Sequence, residues 1–214
     1  MNVKIGGCEA KNDIFFCKDI KTDSIVAPMI ESEYALKKFI QCAAQKKNNL
    51  LLINLETFQS IKNLKHIIKS KYFRSIDGVV IGRSDLAGSM SYPKSFVNSK
   101  RIYNIVSKSF SYIRKSKKNK KILKMGGSVT QNSKEFIQSL FVNKILDYVE
   151  TRNIEIKLSK KSLDNFEKII IGSFQFEIEW LKYRIKNNKN LPINLVNDYK
   201  NRINEIRHRL EKYN

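Results

Sequence analysis

Residues 50–90 read LLLINLETFQSIKNLKHIIKSKYFRSIDGVVIGRSDLAGSM, and they contain two short apolar runs, Leu50–Leu55 and Gly78–Ile81. Between the runs, apolar side chains recur at helical spacing, at Phe58, Ile61, Leu64, Ile67 and Ile68. The pattern predicts a strand, a helix and a second strand. A right-handed crossover makes the two strands of such a unit parallel and favours their being neighbours in one sheet.

A carboxylate follows each apolar run: Glu56 comes directly after the first run, and Asp85 comes shortly after the second. Because the carboxyl ends of neighbouring parallel strands meet at the same edge of a sheet, we expect these two side chains to lie side by side. Two carboxylates at one edge suit a hard divalent cation. The alternative interpretation is that Glu56 and Asp85 cap the N-termini of the helices that follow the strands.

Strand and helix patterns alternate over the first three-quarters of the chain. Strands are predicted at Val3–Ile5, Ser24–Ile30, Leu50–Leu55, Gly78–Ile81, Ile122–Met125 and Asp147–Leu158. The helices predicted between them include Glu33–Gln45 with Ser32 as its N-cap, Asn98–Lys115 and Ser128–Leu140. Repeated strand–helix units predict an α/β barrel or a doubly wound sheet.

Two observations favour the barrel. Glycine and polar residues gather just after the strands, and in a barrel all these positions share the face that carries active sites. The sequence contains neither a GxGxxG fingerprint nor a Walker loop, which argues against a doubly wound nucleotide-binding fold. We therefore predict a TIM-type (β/α) barrel that is incomplete, with about six of the eight strand–helix units of a full barrel.

From about Leu163 the pattern is helical only, with two apolar stripes that are separated by Leu191-Pro192. Two helices joined in this way predict an αα-hairpin. The predicted organisation is a partial barrel over residues 1–160 and a C-terminal helical extension over residues 161–214.

The formal net charge is +21, with 41 Lys and Arg against 20 Asp and Glu, and such an excess is a feature of nucleic-acid-binding proteins. The basic residues are mostly Lys spread along the whole chain. The densest cluster, Arg114–Lys121, contains no aromatic residue on which a base could stack. We interpret the cluster as a solvated loop in preference to a phosphate-binding patch, so a nucleic-acid partner is not expected.

No apolar run approaches the roughly 20 residues that a membrane span requires, and the first residues lack the pattern of a signal peptide. The three cysteines, Cys8, Cys17 and Cys42, have neither the number nor the spacing of a disulfide framework or a zinc site. We expect a cytoplasmic protein without a membrane partner.

Four segments resemble the HpcH/HpaI-type metal-dependent aldolase and citrate lyase family, which belongs to the phosphoenolpyruvate/pyruvate-binding barrels. They are VKIGGCEAKNDI from Val3, IVAPMIESEYALKKFI from Ile25, LINLETFQSIKNL from Leu52 and DGVVIGRSDLAGSM from Asp77. GGSV at Gly126 and VETR at Val149 resemble further corners of the same family. The resemblance covers roughly residues 3–185, in order and without large gaps.

This resemblance implies that Glu56 and Asp85 bind Mg²⁺ or Mn²⁺. In the family the metal holds a pyruvate-like substrate and stabilises the enolate formed when a carbon–carbon bond breaks or forms. Lys4 falls where many members carry an Arg that contacts the substrate carbonyl, and Arg83 replaces a residue that is often Pro, so both are candidate catalytic residues. Lys keeps the charge of Arg but loses its planar two-pronged grip.

The resemblance also aligns the first predicted strand with the third strand of the family. The first two strand–helix units, and the acid–base group that some members place there, are therefore expected to be missing. An open barrel exposes strand edges and core side chains, so we expect a homo-oligomer or another chain that supplies the missing strands.

These features together predict a metal-dependent carbon–carbon lyase or aldolase that acts on a 2-oxo acid or an acyl-type substrate. Two alternatives stay open: a catalytically inactive or partner-dependent fragment of such an enzyme, and a basic nucleic-acid-binding protein. We expect Glu31 to cap a helix or support the metal site in preference to binding the metal directly. We interpret Glu150 and Arg152 as a structural ion pair in preference to residues that position the substrate.

Overall fold

The computed structural model describes residues 1–43, 49–116, 120–188 and 190–211. The strands are β1 (Asn2–Lys4), β2 (Ser24–Ala27), β3 (Leu50–Asn54), β4 (Gly78–Gly82), β5 (Ile122–Gly126), β6 (Tyr148–Glu150) and β7 (Glu155–Lys157). The helices are α1 (Lys11–Asp19), α2 (Glu33–Ala43), α3 (Phe58–Lys62), α4 (Leu64–Lys69), α5 (Arg83–Ser89), α6 (Lys100–Lys115), α7 (Lys134–Val142), α8 (Lys160–Asp164), α9 (Phe166–Asn187) and α10 (Ile193–Glu211).

The strands form one curled sheet in chain order, β1 to β7. Each neighbouring pair from β1 to β6 is parallel, and the last pair, β6 with β7, is antiparallel. The sheet and its helical crossovers confirm the prediction of an incomplete α/β barrel with a C-terminal helical pair. The register pairs Leu52 with Gly78, so β3 and β4 are the adjacent parallel strands that residues 50–90 predict.

Alternation along the strands separates two apolar layers. Ile25, Ile53 and Val79 belong to the main core, which lies between the sheet and the helices. Their neighbours in sequence point to the other side of the sheet, into the interior of the barrel. The charged residues that follow the strands are therefore carried at one end of that interior.

The prediction of a single strand over Asp147–Leu158 is wrong. Residues 148–157 form a hairpin, in which the Thr151 amide donates to the carbonyl of Ile154 over 2.9 Å. Val149 and Ile156 pair directly across the hairpin and are both buried. The apolar alternation of a single strand and that of a tight hairpin look alike when the turn contains only four residues.

The helix boundaries refine the predicted ones. Ser32 caps α2, because its side chain accepts from the Ala35 amide over 3.1 Å, while residues 44 and 45 of the predicted helix lie outside the described residues. The helix predicted between β3 and β4 is two short helices, α3 and α4, that meet at Asn63. The side chain of Asn63 donates to the Glu31 carbonyl over 2.7 Å, which ties this junction to the loop after β2.

The helix predicted at Ser128–Leu140 begins later. A short 3₁₀ turn, Gln131–Ser133, comes first, and α7 follows from Lys134. Thr130 and Ser133 exchange side-chain and backbone hydrogen bonds around this turn. The delay leaves Gly126, Gly127 and Ser128 in an irregular loop at the end of β5.

A side-chain hydrogen bond spans the opening of the barrel. The Asn2 amide on β1 donates to the Glu155 carboxylate on β7 over 2.6 Å, although no ladder joins these two strands. The Asn2 oxygen also accepts from the Ser24 hydroxyl over 2.6 Å. The two edge strands of the open barrel are therefore within side-chain reach of each other. The predicted association with another chain stays a prediction.

The C-terminal helical pair is fastened by a buried ion pair. Glu177 of α9 is almost fully buried, and the guanidinium of Arg202 of α10 donates to its two oxygens over 2.8 Å and 3.2 Å. The division of the chain at residues 160 and 161 stays a prediction, although α8 begins at Lys160.

Two ends of the basic cluster take part in internal contacts. Arg114 donates to both oxygens of Asp147 over 2.8 Å, and Lys121 is buried with its ammonium group 2.5 Å from the Ile76 carbonyl. Residues 117–119 of the cluster lie outside the described residues. Among the helices of the described chain, none combines the length and the apolar character needed to cross a membrane.

Candidate active site in the barrel interior

The interior of the barrel has an apolar side and a charged side. Val26, Leu52 and Val80 form a small buried cluster apart from the main core. Polar and charged side chains line the remainder, among them Asn2, Lys4, Asn54, Glu56, Lys124, Glu150 and Glu155. The cavity has a volume of about 760 Å³, which lies within the range of small-molecule sites.

Glu56 is fixed at the end of β3 by three donors. Its carboxylate accepts from the Lys4 ammonium over 3.0 Å, from the Asn54 side chain over 2.8 Å and from the Met29 amide over 3.2 Å. Met29 has a φ of 48°, a left-handed conformation that is uncommon for a residue with a side chain. The strained loop after β2 and the end of β3 thus hold one almost fully buried carboxylate in a single orientation.

Asp85 lies beside Glu56, on the first turn of α5. A methyl group added at Gly82 would lie 2.9 Å from Glu56 Oε2 and 3.7 Å from Asp85 Oδ2, so both carboxylates occupy the space above this glycine. Partial burial and the neighbouring Glu56 carboxylate raise the pKa of Asp85, while Lys4 opposes the shift. The structure therefore brings together the two residues that the sequence selects as metal ligands. We call Lys4, Glu56 and Asp85 the strand-end group.

The donor set of the strand-end group fits a hard cation. Two carboxylates with like charge repel each other, and a divalent cation between them removes that repulsion. Asn54, at the same point, is 5% exposed, and its Oδ1 atom is buried without a hydrogen-bond partner. No cluster of three or more His, Cys, Asp or Glu suited to a metal ion occurs within the described ranges, so the carboxylates at this point are the two of Glu56 and Asp85.

Lys4, the candidate catalytic residue at the end of β1, reaches into the same space. Its side chain is 47% exposed, and its charge acts on Glu56 by contact and on Asp85 and Glu150 at longer range. Lys4 thus lines the cavity with its ammonium group in contact with Glu56 and partly open to solvent.

Arg83, the other candidate catalytic residue, is fully buried. Its guanidinium donates to three carbonyls and two side-chain oxygens, of Gly126, Gly127, Val97, Asn98 and Ser133. Burial lowers the pKa of Arg83 to about 9, which leaves the group charged at neutral pH. The structure therefore gives Arg83 the position of a residue that orients the loop after β5.

That loop approaches α5 closely at Gly127. Its φ is 84°, and a methyl group added there would lie 2.5 Å from the Ser84 nitrogen and 2.6 Å from the Arg83 nitrogen. Only glycine fits this position. The contact holds the ends of β4 and β5 together, with the hydroxyls of Ser84 and Ser128 2.9 Å apart above it.

A second charged group lies across the cavity, and of its three members the sequence pointed only to Glu150. Lys124 of β5 is buried, forms an ion pair with Glu155 of β7 and lies 3.9 Å from Glu150 of β6. Burial raises the pKa of Glu150 to about 7, opposed by Lys124 and reinforced by Glu155. We call Lys124, Glu150 and Glu155 the hairpin group. The signal that could have found it is Lys124 itself, a charge within the apolar run Ile122–Met125.

Two further expectations can be located in the structure. The Glu31 carboxylate accepts from the Thr57 hydroxyl over 2.6 Å, and Thr57 caps α3, so Glu31 supports the segment that carries Glu56. The expected ion pair between Glu150 and Arg152 is replaced, because Arg152 lies 3.7 Å from Glu177 and Glu150 faces Lys124.

The sequence model of the HpcH/HpaI aldolase/citrate lyase family matches residues 8–141. This match spans more than half of the chain and includes both members of the carboxylate pair. The chain belongs to the HpcH/HpaI aldolase/citrate lyase family. No curated protein sequence shows a significant match.

Three solved structures have the same fold. RipC from Yersinia pestis is 13% identical with a TM-score of 0.52, and the match covers 70% of this chain and 69% of RipC. The citrate synthase SbnG is 12% identical with a TM-score of 0.56, covering 81% of this chain and 71% of SbnG. An HpcH/HpaI family protein from Burkholderia cenocepacia J2315 is 11% identical with a TM-score of 0.51, covering 64% of this chain and 63% of that protein.

Membership of the HpcH/HpaI family indicates lyase-type chemistry, and the family generally depends on a divalent metal. At identities of 11–13% the solved structures establish the shared fold. The residues of the strand-end group must therefore carry the case for a particular reaction.

Proposed function

We propose that this HpcH/HpaI family member is a metal-dependent carbon–carbon lyase or aldolase that acts on a 2-oxo acid or an acyl-type substrate. The observation that carries the proposal is the pair of carboxylates, Glu56 and Asp85, packed above Gly82 with the pKa of Asp85 raised by partial burial and by Glu56. A like-charge pair of this kind is costly unless a cation or a proton neutralises it. Because the HpcH/HpaI family generally depends on a divalent metal, we favour a cation over a proton as the neutralising group.

Glu56 and Asp85 would hold Mg²⁺ or Mn²⁺, and the bound cation would supply Lewis-acid stabilisation of the negative charge on an enolate oxygen. The chain fixes the geometry: Met29, Asn54 and Lys4 hold Glu56 in place. Because their positions are set before substrate binds, little reorganisation is needed when charge develops.

Lys4 would bind the substrate. Its ammonium group is half-exposed, and it faces the cavity from the strand next to the opening. A carboxylate or keto oxygen of the substrate can accept from it while Glu56 keeps its two other donors. Arg83 acts through the loop at Gly126 and Gly127 and is a positioning residue in this proposal.

We further propose that the chain associates with a second copy or with a chain that supplies further barrel strands. Phe15 and Phe16 of α1 are 74% and 60% exposed, and α1 follows the edge strand β1. Large apolar side chains in such positions favour association. The cysteines of the described chain are free, which supports a reducing cytoplasm as its compartment.

The experiment that tests the proposed function is deuterium exchange into the methyl group of pyruvate in D₂O, with Mg²⁺ or Mn²⁺ added. We expect exchange by the wild type and its loss in Glu56→Gln and Asp85→Asn, because each substitution removes one charge from the pair. Glu9→Gln is the matched control, since Glu9 pairs with Lys38 on the surface. A wild type that catalyses no exchange at any metal concentration contradicts the proposal.

A further inference from the structure

Glu150 faces the strand-end group across two paired glycines. A methyl group added at Gly126 would lie 3.7 Å from Glu150 Oε2, and Gly126 is paired in register with Gly82. Above Gly82 lie Glu56 and Asp85. Neighbouring strands are about 4.8 Å apart. The Glu150 carboxylate therefore lies about one strand spacing from Glu56 and Asp85, on the cavity face of the sheet at Gly82 and Gly126, which we call the glycine floor.

This separation suits a group that acts on a substrate held at the carboxylate pair. Glu150 does not join Glu56 and Asp85 in a cluster able to hold one ion, since the described residues contain no such cluster of three. The two glycines contribute no side chains, so the space between the carboxylates is open to a small molecule.

The surroundings of Glu150 keep its pKa close to neutral pH. The charged or titratable groups that face it are Lys4 from β1, Lys124 from β5 and Glu155 from β7, while Tyr148 and Arg152 flank it along the chain. Burial raises the pKa of Glu150 to about 7, Lys124 and Lys4 oppose the shift, and Glu155 adds to it. A carboxyl group with a pKa near the working pH can both accept and return a proton.

We propose that Glu150 is the acid–base residue of the lyase reaction proposed above, on which this inference rests. In the enolisation of a 2-oxo acid, the C3–H bond breaks and the proton passes to a Glu150 oxygen. The electron pair of that bond forms the C2–C3 double bond, and the carbonyl pair moves onto the oxygen, whose negative charge Lys4 and a cation held by Glu56 and Asp85 would stabilise. In the reverse step the proton returns from Glu150 to C3.

The test compares Glu150→Gln with Glu155→Gln in the pyruvate exchange assay. Glu155 shares Lys124 with Glu150 and lies on the paired strand, so it controls for the loss of one carboxylate from the hairpin group. We expect Glu150→Gln to lower the exchange rate by about 100-fold or more, as for loss of a general base, and to leave Mn²⁺ binding unchanged. We expect Glu155→Gln to retain exchange with its pH profile displaced to lower pH, because a negative charge beside Glu150 is gone.

Two outcomes separate this inference from the proposed function. Exchange by the wild type that Glu150→Gln retains with the same rate and pH profile overturns the role of Glu150 alone. A wild type without exchange overturns both proposals. If Glu150→Gln fails to fold, the pH dependence of exchange by the wild type decides. A rate that rises with an apparent pKa near 7, together with a Glu carboxyl group that titrates at the same pH in ¹³C NMR without added metal, supports the inference. A wild type that lacks this titration overturns it.

Discussion

The strand-end group and the hairpin group each combine two carboxylates with one lysine, yet they differ in where the positive charge lies. Lys4 of the strand-end group is 47% exposed, whereas Lys124 of the hairpin group is 4% exposed. Lys4 reaches Glu56 from the open side of the cavity, and Lys124 enters from within β5. In the first group a metal ion or a substrate can share the carboxylates with the lysine; in the second group the charge is built into the sheet.

This difference suits the strand-end group to ligand binding and the hairpin group to a structural and electrostatic role. A half-exposed lysine that can turn toward a ligand suits binding, because its ammonium group is already partly hydrated and Glu56 keeps the Asn54 and Met29 donors. A buried lysine between two carboxylates fixes the hairpin against β5 and sets the electrostatic surroundings of Glu150. The interior therefore has one adaptable side and one rigid side, with the cavity between them.

Removing each lysine in turn tests this contrast most strongly. Lys124→Met leaves Glu155 and Glu150 partly buried without their shared cation, and we expect a loss of about 3–5 kcal/mol in the free energy of unfolding. Lys4→Met removes a half-exposed partner from Glu56, whose side chain is only 1% exposed but keeps the Asn54 and Met29 donors, and we expect a loss of about 1–2 kcal/mol. Urea denaturation at pH 7 measures both values. Equal losses would show that exposure does not distinguish the two lysines.

The next largest effect is a dependence of stability on pH that arises from Glu150. Its pKa is raised to about 7 in the folded chain from the 4.5 of an ordinary Glu carboxyl group, so between these pH values the folded state holds a proton that the unfolded state has released. Stability therefore falls as pH rises through this window, by about 2–3 kcal/mol in total, and is unaffected by Glu150 below it.

Glu150→Gln isolates this contribution, because every other titrating group is common to both proteins. We expect the variant to lose less stability than the wild type between about pH 5 and about pH 8, by the same 2–3 kcal/mol. Urea denaturation at several pH values across that window gives the two curves. Parallel curves would mean that the carboxyl group of Glu150 titrates at its ordinary value.

The carboxylates of the strand-end group could be predicted from sequence because each one is marked by the strand that directly precedes it in the chain. Glu56 and Asp85 each follow an apolar run, and parallel neighbouring strands bring such positions to one edge. The hairpin group depends on a turn that the pattern conceals. Along a single strand, Glu150 and Glu155 are five residues apart and would point to opposite faces. The hairpin pairs them directly, so that both face the cavity.

The direction of Arg83 shows a second limit of the sequence. The family resemblance makes Arg83 a candidate residue of the site, and the structure places it at the start of α5, two residues before Asp85. The helical start turns its side chain under the loop after β5, where carbonyls and Asn98 bind the guanidinium. Which face of a helix start points inward depends on the loop that packs against it, and the spacing of residues does not contain that information.

The smallest expected effects come from adding one methyl group at each of the two paired glycines, Gly82 and Gly126. In Gly82→Ala the new methyl would lie 2.9 Å from Glu56 Oε2, which already accepts from Lys4 and Asn54, while the Met29 amide fixes the other oxygen, so Glu56 must move. We expect a loss of about 1–2 kcal/mol in stability, together with weaker Mn²⁺ binding. In Gly126→Ala the nearest atoms, all of Glu150, lie at an ordinary 3.7 Å, and we expect a change of no more than about 0.5 kcal/mol.

The pair of alanine variants also shows where a ligand lies. Thermal denaturation with and without Mn²⁺ gives the stability of each variant and the increment that the metal adds. If the strand-end group holds the cation, Gly82→Ala reduces that increment and Gly126→Ala preserves it, because only the first methyl displaces a carboxylate of the pair. If Mn²⁺ stabilises Gly126→Ala less than the wild type but stabilises Gly82→Ala fully, the cation lies near Glu150. The hairpin group, and not the strand-end group, would then bind the metal.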